Sequence, residues 1–312
     1  MSNRINMIKF IKADLDTVAA AALILNELPE NIYVLMNNAG ERSLNHSSCL
    51  CLECGGDGLC SLNNFDHHEK SALPCAAVQV FNEYKCSEKY RNLVNYVEYI
   101  DTGRGSYTSL SVDDACCSIS GLFSGMLSLY KSEITRFKKG FDLFKRIMEM
   151  PEALANPLAV PVDDPVLFRY YKAKNKITDA LNRERDRIVK VDCAVPTMYL
   201  KTKYAGVHGL LHKLGAVISI AVNANTGKIS ISSIAGYENL VESFEKELNY
   251  EEEKNNSEPI ASDSGNRWGG HSSMGIIGSP RNGSSLEFNQ IIDIICRVIN
   301  KDMSKKRLSR QP

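Results

Sequence analysis

The sequence predicts an α/β chain: an N-terminal doubly wound, mainly parallel sheet domain followed by a smaller α/β C-terminal domain. Three observations predict it. Short apolar runs rich in strand formers alternate with a helical pattern ahead of Asp66, and acidic residues stand at the ends of those runs. A stretch holding Pro151, Pro157, Pro161 and Pro165 then divides this half from a second series of strand and helix patterns. At 312 residues the chain has room for two domains, each with its own core.

Taken in order, residues 4–11 read as a first strand and Thr17–Leu28 as an Ala-rich helix stopped by Pro29. Asn31–Met36 and Ser48–Glu53 are two more short strands. Gly55, Gly56 and Gly58 make a turn before a short apolar approach to Asp66. From Ala72 to about Met150 the spacing is helical. Ala76, Val80 and Phe81 share a face, as do Leu93, Val94, Val97 and Ile100, then Leu122, Met126 and Leu129, then Phe137, Phe141, Phe144 and Met148. Core packing accounts for these stripes without a cofactor. The domains expected are 1–150, a linker and bridging helix over 151–191 with a charged helix from Val166 to about Val191, and 192–312. The second half opens with strand-like Ala194–Leu200, then the run Val207–Leu214. A hairpin follows, Ala216–Ala221 with Lys228–Ile234, turning near Asn225-Thr226-Gly227. Leu240–Leu248 is amphipathic, 251–266 is polar enough for a mobile loop, 275–279 is a short strand and Leu286–Ile299 a closing helix. The basic tail from Lys301 to Arg310 reads as a frayed terminus.

Lys and Arg together number 37, and so do Asp and Glu, so the formal charge is zero. A chain without net positive charge has no global field to hold long nucleic acid, which favours a small or short substrate. No apolar run has membrane-spanning length, and Asn3, Arg4, Asn6 and Lys9 interrupt any signal-peptide pattern, so a soluble cytoplasmic protein is expected. Of the ten cysteines, Cys75, Cys86, Cys116, Cys117, Cys193 and Cys296 read as reduced, buried small hydrophobes. Cys49, Cys51, Cys54 and Cys60 are closer to metal-ligand spacing, but structural zinc there is not expected.

The chemistry is concentrated in Asn64-Phe65-Asp66-His67-His68-Glu69. One carboxylate and two adjacent imidazoles crowd together at a cost unless a cation or phosphate shares the site. Three further acidic clusters stand at the junctions or ends of other elements. Asp14 and Asp16 sit at a strand-to-helix junction, where open α/β sheets place ligands; Glu53 ends a strand, and Asp101-Thr102-Gly103 ends a helical segment. Asp14 also suits a helix N-cap, and Asp101-Thr102-Gly103 a helix-ending turn. In Trp268-Gly269-Gly270-His271 the glycines let backbone approach a phosphate and the imidazole adds a donor, with Arg281 available for a bidentate contact. His208 and His212, one helical turn apart, read as structural.

The order acidic pair, single carboxylate, Asp-His-His and Asp-Thr-Gly resembles the DHH phosphoesterase superfamily. Trp268-Gly269-Gly270-His271 is similar to the Gly-Gly-His loop of the DHH-associated domain in RecJ-type exonucleases and oligoribonucleases. The resemblance implies two divalent cations, Mn²⁺ or Mg²⁺, and hydrolysis of phosphodiester bonds in short oligonucleotides or dinucleotides to mononucleotides. It implies that Asp16, Glu53, His67 and Asp101 surround one metal. Asp14 and Glu53 would hold the other, with Asp66 supporting the cluster and His68 facing the phosphate. The Gly269-Gly270-His271 loop and Arg281 would hold the substrate, the two domains closing over a cleft. Two positions depart from the family. Phe10 stands where a histidine usually precedes the first acid, and Glu53 where aspartate is usual. An inorganic-pyrophosphatase-like hydrolase and a degenerate, non-catalytic nucleotide-binding protein are the rival expectations; no membrane partner is expected, and a homodimer is left open.

Overall fold

The first strand, β1 (Met7–Phe10), lies inside a four-stranded sheet with β2 (Asn31–Val34), β3 (Cys49–Leu52) and β4 (Asn64–Phe65), in the order β2-β1-β3-β4, every pair parallel. The structure is a computed structural model that describes residues 5–35, 48–54, 58–67, 73–102, 116–255, 266–271, 275–280 and 282–308. The chain leaves β1 for a neighbour on one side and takes up β3 on the other. That is a topological switch point, and open α/β sheets bind ligands beyond the carboxyl ends of the strands at such points. Ile8, Phe10, Leu50, Leu52 and Phe65 enter the main core, whereas Met7, Cys49 and Cys51 face the other side.

Helix α1 (Leu15–Ile24) follows β1 and is buried from Leu15 through Ala22. A helix buried on all sides needs small side chains so that neighbours approach from several directions, which is why it reads Ala19-Ala20-Ala21-Ala22. It packs against α2 (Ala76–Glu83), α3 (Arg91–Thr102) and α5 (Glu133–Met148), while α4 (Ile119–Leu129) and α6 (Pro151–Ala155) pack on α5. The expected stripe Phe137, Phe141, Phe144 and Met148 is buried. Leu93, Val94 and Val97 are buried too, but Ile100 and Leu129, at the ends of their stripes, are exposed. Phe10 stacks on Phe137 at 4.5 Å between ring centroids and is fully buried, so it serves as a core anchor for β1.

The compact units are 1–176 and 177–312. Helix α7 (Pro165–Asn182) begins at Asp164, whose carboxylate accepts the N–H groups of Val166 (2.7 Å) and Leu167 (3.1 Å), with Pro165 in the first turn. The charged helix expected to run to about Val191 stops at Asn182. It gives way to a 3-10 turn, Arg185–Arg187, and the edge strand β5 (Val189–Val191), because β-branched Val189 and Val191 pair with β6 (Thr197–Thr202).

The second sheet has the order β5-β6-β7-β8-β10-β9, with β7 (Ile218–Asn223), β8 (Ile229–Ser233), β9 (Gly269–His271) and β10 (Ile276–Gly278). The β6–β7 pair is parallel and the others antiparallel. Alternation assigns the faces. Ile218, Ile220, Val222, Ile229, Ile231 and Ile277 pack on α9 (Glu238–Asn255) and α10 (Phe288–Leu308). The run Val207–Leu214 is helical, as α8 (Val207–Lys213), and covers the opposite face over Met198 and Leu200. Residues 301–308, expected to fray, extend α10. The loop expected over 251–266 is helical through Asn255, and 256–265 lie outside the described residues. Cys193 and Cys296, read as reduced thiols, form a disulfide joining the segment before β6 to α10. The residues flanking each cysteine record neither its partner nor the approach of two elements distant in sequence. Among the described residues no helix is long and apolar enough to cross a membrane.

Beneath α8 the two histidines join a directional chain. The Ala216 carbonyl only accepts, so His212 Nδ1–H donates to it (2.8 Å), and His212 Nε2 lies 3.0 Å from Ser219 Oγ, which also has the Ser232 carbonyl in reach at 3.2 Å. Ser219 Oγ in turn takes His208 Nδ1–H (2.7 Å), leaving His208 Nε2 to accept from Ser230 Oγ (2.8 Å). Burial with His212 nearby pushes His208 down to about 4. Because the folded value lies below the unfolded one, the unfolded chain takes the proton first as pH falls. Stability present above pH 6.5 is lost down to about pH 4, on the order of 3 kcal/mol for a shift of this size. Denaturant unfolding at pH 7 and pH 4.5 checks this: His208→Gln is expected to be less stable at pH 7 but to lose less on acidification. An equal acid loss in both proteins would exclude His208 as the cause.

Candidate metal centre

Each acidic group at the switch point is fixed by the element that follows or faces its strand. Asp14 ends the turn after β1 and is the N-cap of α1, its Oδ1 accepting the Thr17 N–H at 3.0 Å. The peptide just before it is held from α5: Ala13 N–H donates to Glu133 Oε2 (2.8 Å), and Arg136 fixes that carboxylate (2.5 Å) while also donating to the Tyr130 carbonyl (2.8 Å). In the first turn of α1, Asp16 points across to α2. Its two oxygens accept the N–H groups of Ala76 (2.7 Å) and Ala77 (2.8 Å). Glu98 of α3 takes the preceding N–H, that of Cys75, at 2.7 Å. Three consecutive donors at the start of α2 thus close on two carboxylates, where the helix dipole favours negative charge. Glu98 Oε1 also accepts from Thr102 Oγ1 (3.2 Å), which tightens the last turn of α3 around Asp101.

Glu53 leaves β3 in the left-handed region, with φ of 52°. A residue with a Cβ pays roughly 1 kcal/mol or more for that conformation, so the turn stores strain at the site. Its N–H still donates to the Phe65 carbonyl (2.9 Å), which keeps the ladder to β4 intact up to Asp66. His67 follows β4. Its Nε2 lies 2.9 Å from Glu53 Oε1 and 3.2 Å from Asp101 Oδ2. Donor atoms of Asp16, Glu53, His67 and Asp101 all fall within 4.8 Å of one another. Glu53 Oε1 and Asp101 Oδ2 are buried and take no hydrogen bond of good geometry.

Electrostatics agree with the geometry. Burial, then the charges of Asp14 and Asp16, hold the Glu53 carboxyl well above the usual carboxylate range. Burial and then Asp101 push Asp16 up to about 6, and burial raises Asp14. At His67 burial acts downward, but the carboxylates of Asp101, Asp16 and Asp66 together outweigh it and favour the imidazolium. Like charges gathered in a buried pocket with one imidazole are a set that a divalent cation relieves. Three carboxylates and one imidazole suit a hard or borderline ion such as Mn²⁺ or Mg²⁺.

Four expected site residues therefore meet: Asp16, Glu53, His67 and Asp101. Asp14 lies close enough to act on Glu53 but spends one oxygen on its cap. Asp66 is fully buried, and its carbonyl accepts from Gln79 Nε2 (3.2 Å). His68 and Arg281 lie outside the described residues. Gly269, Gly270 and His271 form strand β9, paired with β10, where a loop was expected. Gly270 sits at φ of 146° with its Cα side against the β10 backbone. The residue before them is clamped: Trp268 exchanges two hydrogen bonds with Asn249 (2.8 and 2.9 Å), and its indole donates to buried Glu252 (3.0 Å). Of the four cysteines with metal-like spacing, Cys49 and Cys51 bring their sulfurs to 3.8 Å, Cys54 donates to the Lys9 carbonyl, and Cys60 donates to Gln79 Oε1; the four sulfurs do not meet. Sequence reading missed Glu98, Glu133 and Gln79. Each acts through a backbone group far away in sequence, which no local pattern records.

No family model matches the chain, and no curated protein matches it. Among solved structures it is similar to the pGpG-specific phosphodiesterase PggH from Vibrio cholerae, with a TM-score of 0.56 and 14% sequence identity, over 96% of this chain and 99% of that one. At this identity the likeness establishes the fold, along nearly the whole of both chains.

The buried acids dictate a pH response in the metal-free protein. A carboxyl whose folded value is raised makes its stabilising contribution at low pH and loses it as pH climbs through the folded value; for Asp16 that window runs from about 4 to about 6. Thermal unfolding in chelator is expected to show falling stability across it. Mn²⁺ is expected to raise the melting temperature more at pH 7.5 than at pH 5, and the difference to shrink in Asp16→Asn. Equal Mn²⁺ effects at both pH values would contradict the assignment.

Proposed function

We propose that the chain is a divalent-cation-dependent phosphodiesterase that cleaves dinucleotides or short oligonucleotides to mononucleotides. The observation that carries this reading is the convergence of Asp16, Glu53, His67 and Asp101 beyond the carboxyl ends of parallel strands, where open α/β sheets bind ligands. The resemblance to the DHH superfamily and the fold shared with a phosphodiesterase support it.

Those four residues would hold one cation, and Asp14 with Glu53 a second. Bound there, divalent cations supply Lewis-acid stabilisation of a phosphoryl group and a water nucleophile near neutral pH. The chain's own residues set the conditions. Asp16 and Asp101 bring negative charge that attracts the cations, while Asp66 backs His67 from the adjoining position. His68 would donate to a phosphoryl oxygen, and Gly269, Gly270, His271 and Arg281 would hold the far end of the substrate. Zero net charge suits a substrate of a few nucleotides gripped at its ends, since a long backbone gains little from a neutral protein.

One observation favours a second reading, a nucleotide-binding protein without catalysis: Phe10 is committed to the core stack with Phe137 and offers no ligand. Release of mononucleotides separates the two. With Mn²⁺ or Mg²⁺, pGpG, other linear dinucleotides and short RNA are expected to be hydrolysed, with pyrophosphate a poor substrate. Asp66→Ala and His67→Ala are each expected to lower turnover by about 100-fold or more. A silent wild type that still binds dinucleotide would establish the second reading instead.

A further inference from the structure

Gln79, in the middle of α2, is a buried carboxamide with every group engaged. Its Nε2 donates to the carbonyl of Pro74 at 2.7 Å and to the carbonyl of Asp66 at 3.2 Å. Both carbonyls only accept, which fixes which end of the amide carries the nitrogen, and its Oε1 has the Cys60 thiol at 3.5 Å. The two carbonyls stand on either side of the segment that begins with His67 and returns to the chain at Leu73. One side-chain amide therefore ties together the point where that segment leaves β4 and the point where it enters α2. Behind the Asp66 carbonyl stands Gly58, at φ of 57°, where an added Cβ would come within 2.9 Å of that oxygen and 2.5 Å of Leu73 Cδ1.

We infer that Gln79 is a positioning residue: it sets the aim of His67 by fixing the peptide on its N-terminal side. The inference rests on the metal-centre reading above. Helix α2 then serves two site groups at once. Its first N–H groups hold Asp16, and one turn further on its side chain holds the Asp66–His67 peptide. Asp16 and His67, which come from different strands, are registered on one rigid body. Unlike Asp16, Gln79 needs no contact with cation or substrate to do this.

Gln79→Met keeps length and bulk and removes both donors. Gly58→Ala pushes the Asp66 carbonyl from behind and leaves α2 intact. Val80→Ala, next on the same helix and buried in the core, controls for lost stability. The full chain is assayed for Mn²⁺ affinity by calorimetry without substrate, and for kcat and KM on a linear dinucleotide. Gln79→Met and Gly58→Ala are expected to weaken Mn²⁺ binding by about tenfold and lower kcat by about tenfold or more, with KM within about threefold. Val80→Ala is expected to lower only the melting temperature. If Gln79→Met lowers the yield of folded protein, Gly58→Ala carries the same readouts. Wild-type affinity and kcat in both variants, beside an active wild type, would overturn the positioning role alone. A wild type that binds no Mn²⁺ and hydrolyses nothing would overturn the metal reading and this inference with it.

Discussion

The carboxylate of Asp16, buried and closed on the first N–H groups of α2, is the contact on which the N-terminal unit depends. A charge taken out of water is tolerated only where donors meet it, and a helix N-terminus offers several, already aligned. The bond joins α1, which follows β1, to α2, which follows β4. Those strands are two places apart in the sheet, so one side chain spans the switch point. Glu98 adds α3 to the same helix end, and with it Asp101. The site is therefore built from helix ends and strand ends pinned to each other, with its polar groups held by backbone donors.

This construction concentrates negative charge where the fold can least solvate it. Glu53 is placed by a strained turn, Asp16 is neutral over part of the ordinary pH range, and His67 stands between two carboxylates. Strain and desolvation at one point are costs that packing elsewhere must cover. The Phe10–Phe137 stack, the buried Ala-rich helix and the aromatic stripe of α5 supply that packing directly behind the site.

The second unit solves a different problem. Its sheet is apolar on the face toward α9 and α10, but serines line the face toward α8, and His208 and His212 complete their hydrogen bonds. At the far edge the Gly-Gly-His segment begins at a tryptophan locked by Asn249 and Glu252. The edge strand therefore starts from a fixed point.

Much of this was legible in the sequence, because short-range physics writes it there. Strand and helix periods, the aspartate cap, the hairpin and the acids at strand ends all follow from neighbours along the chain, although α1 ends at Ile24, short of the proline stop expected at Pro29. So did the four residues that converge, since their order and the elements they close can be read in one dimension. What tertiary structure decided is what depends on partners distant in sequence. Val189 and Val191 became a strand because β6 was there to pair with, and Gly269–His271 because β10 was. Cys193 met Cys296, Phe10 met Phe137, and Asp16 met the N-terminus of α2. Sequence determines which groups a chain can offer. Only the packed fold decides which of them lose water together, and so which carboxylates share one pocket with one imidazole.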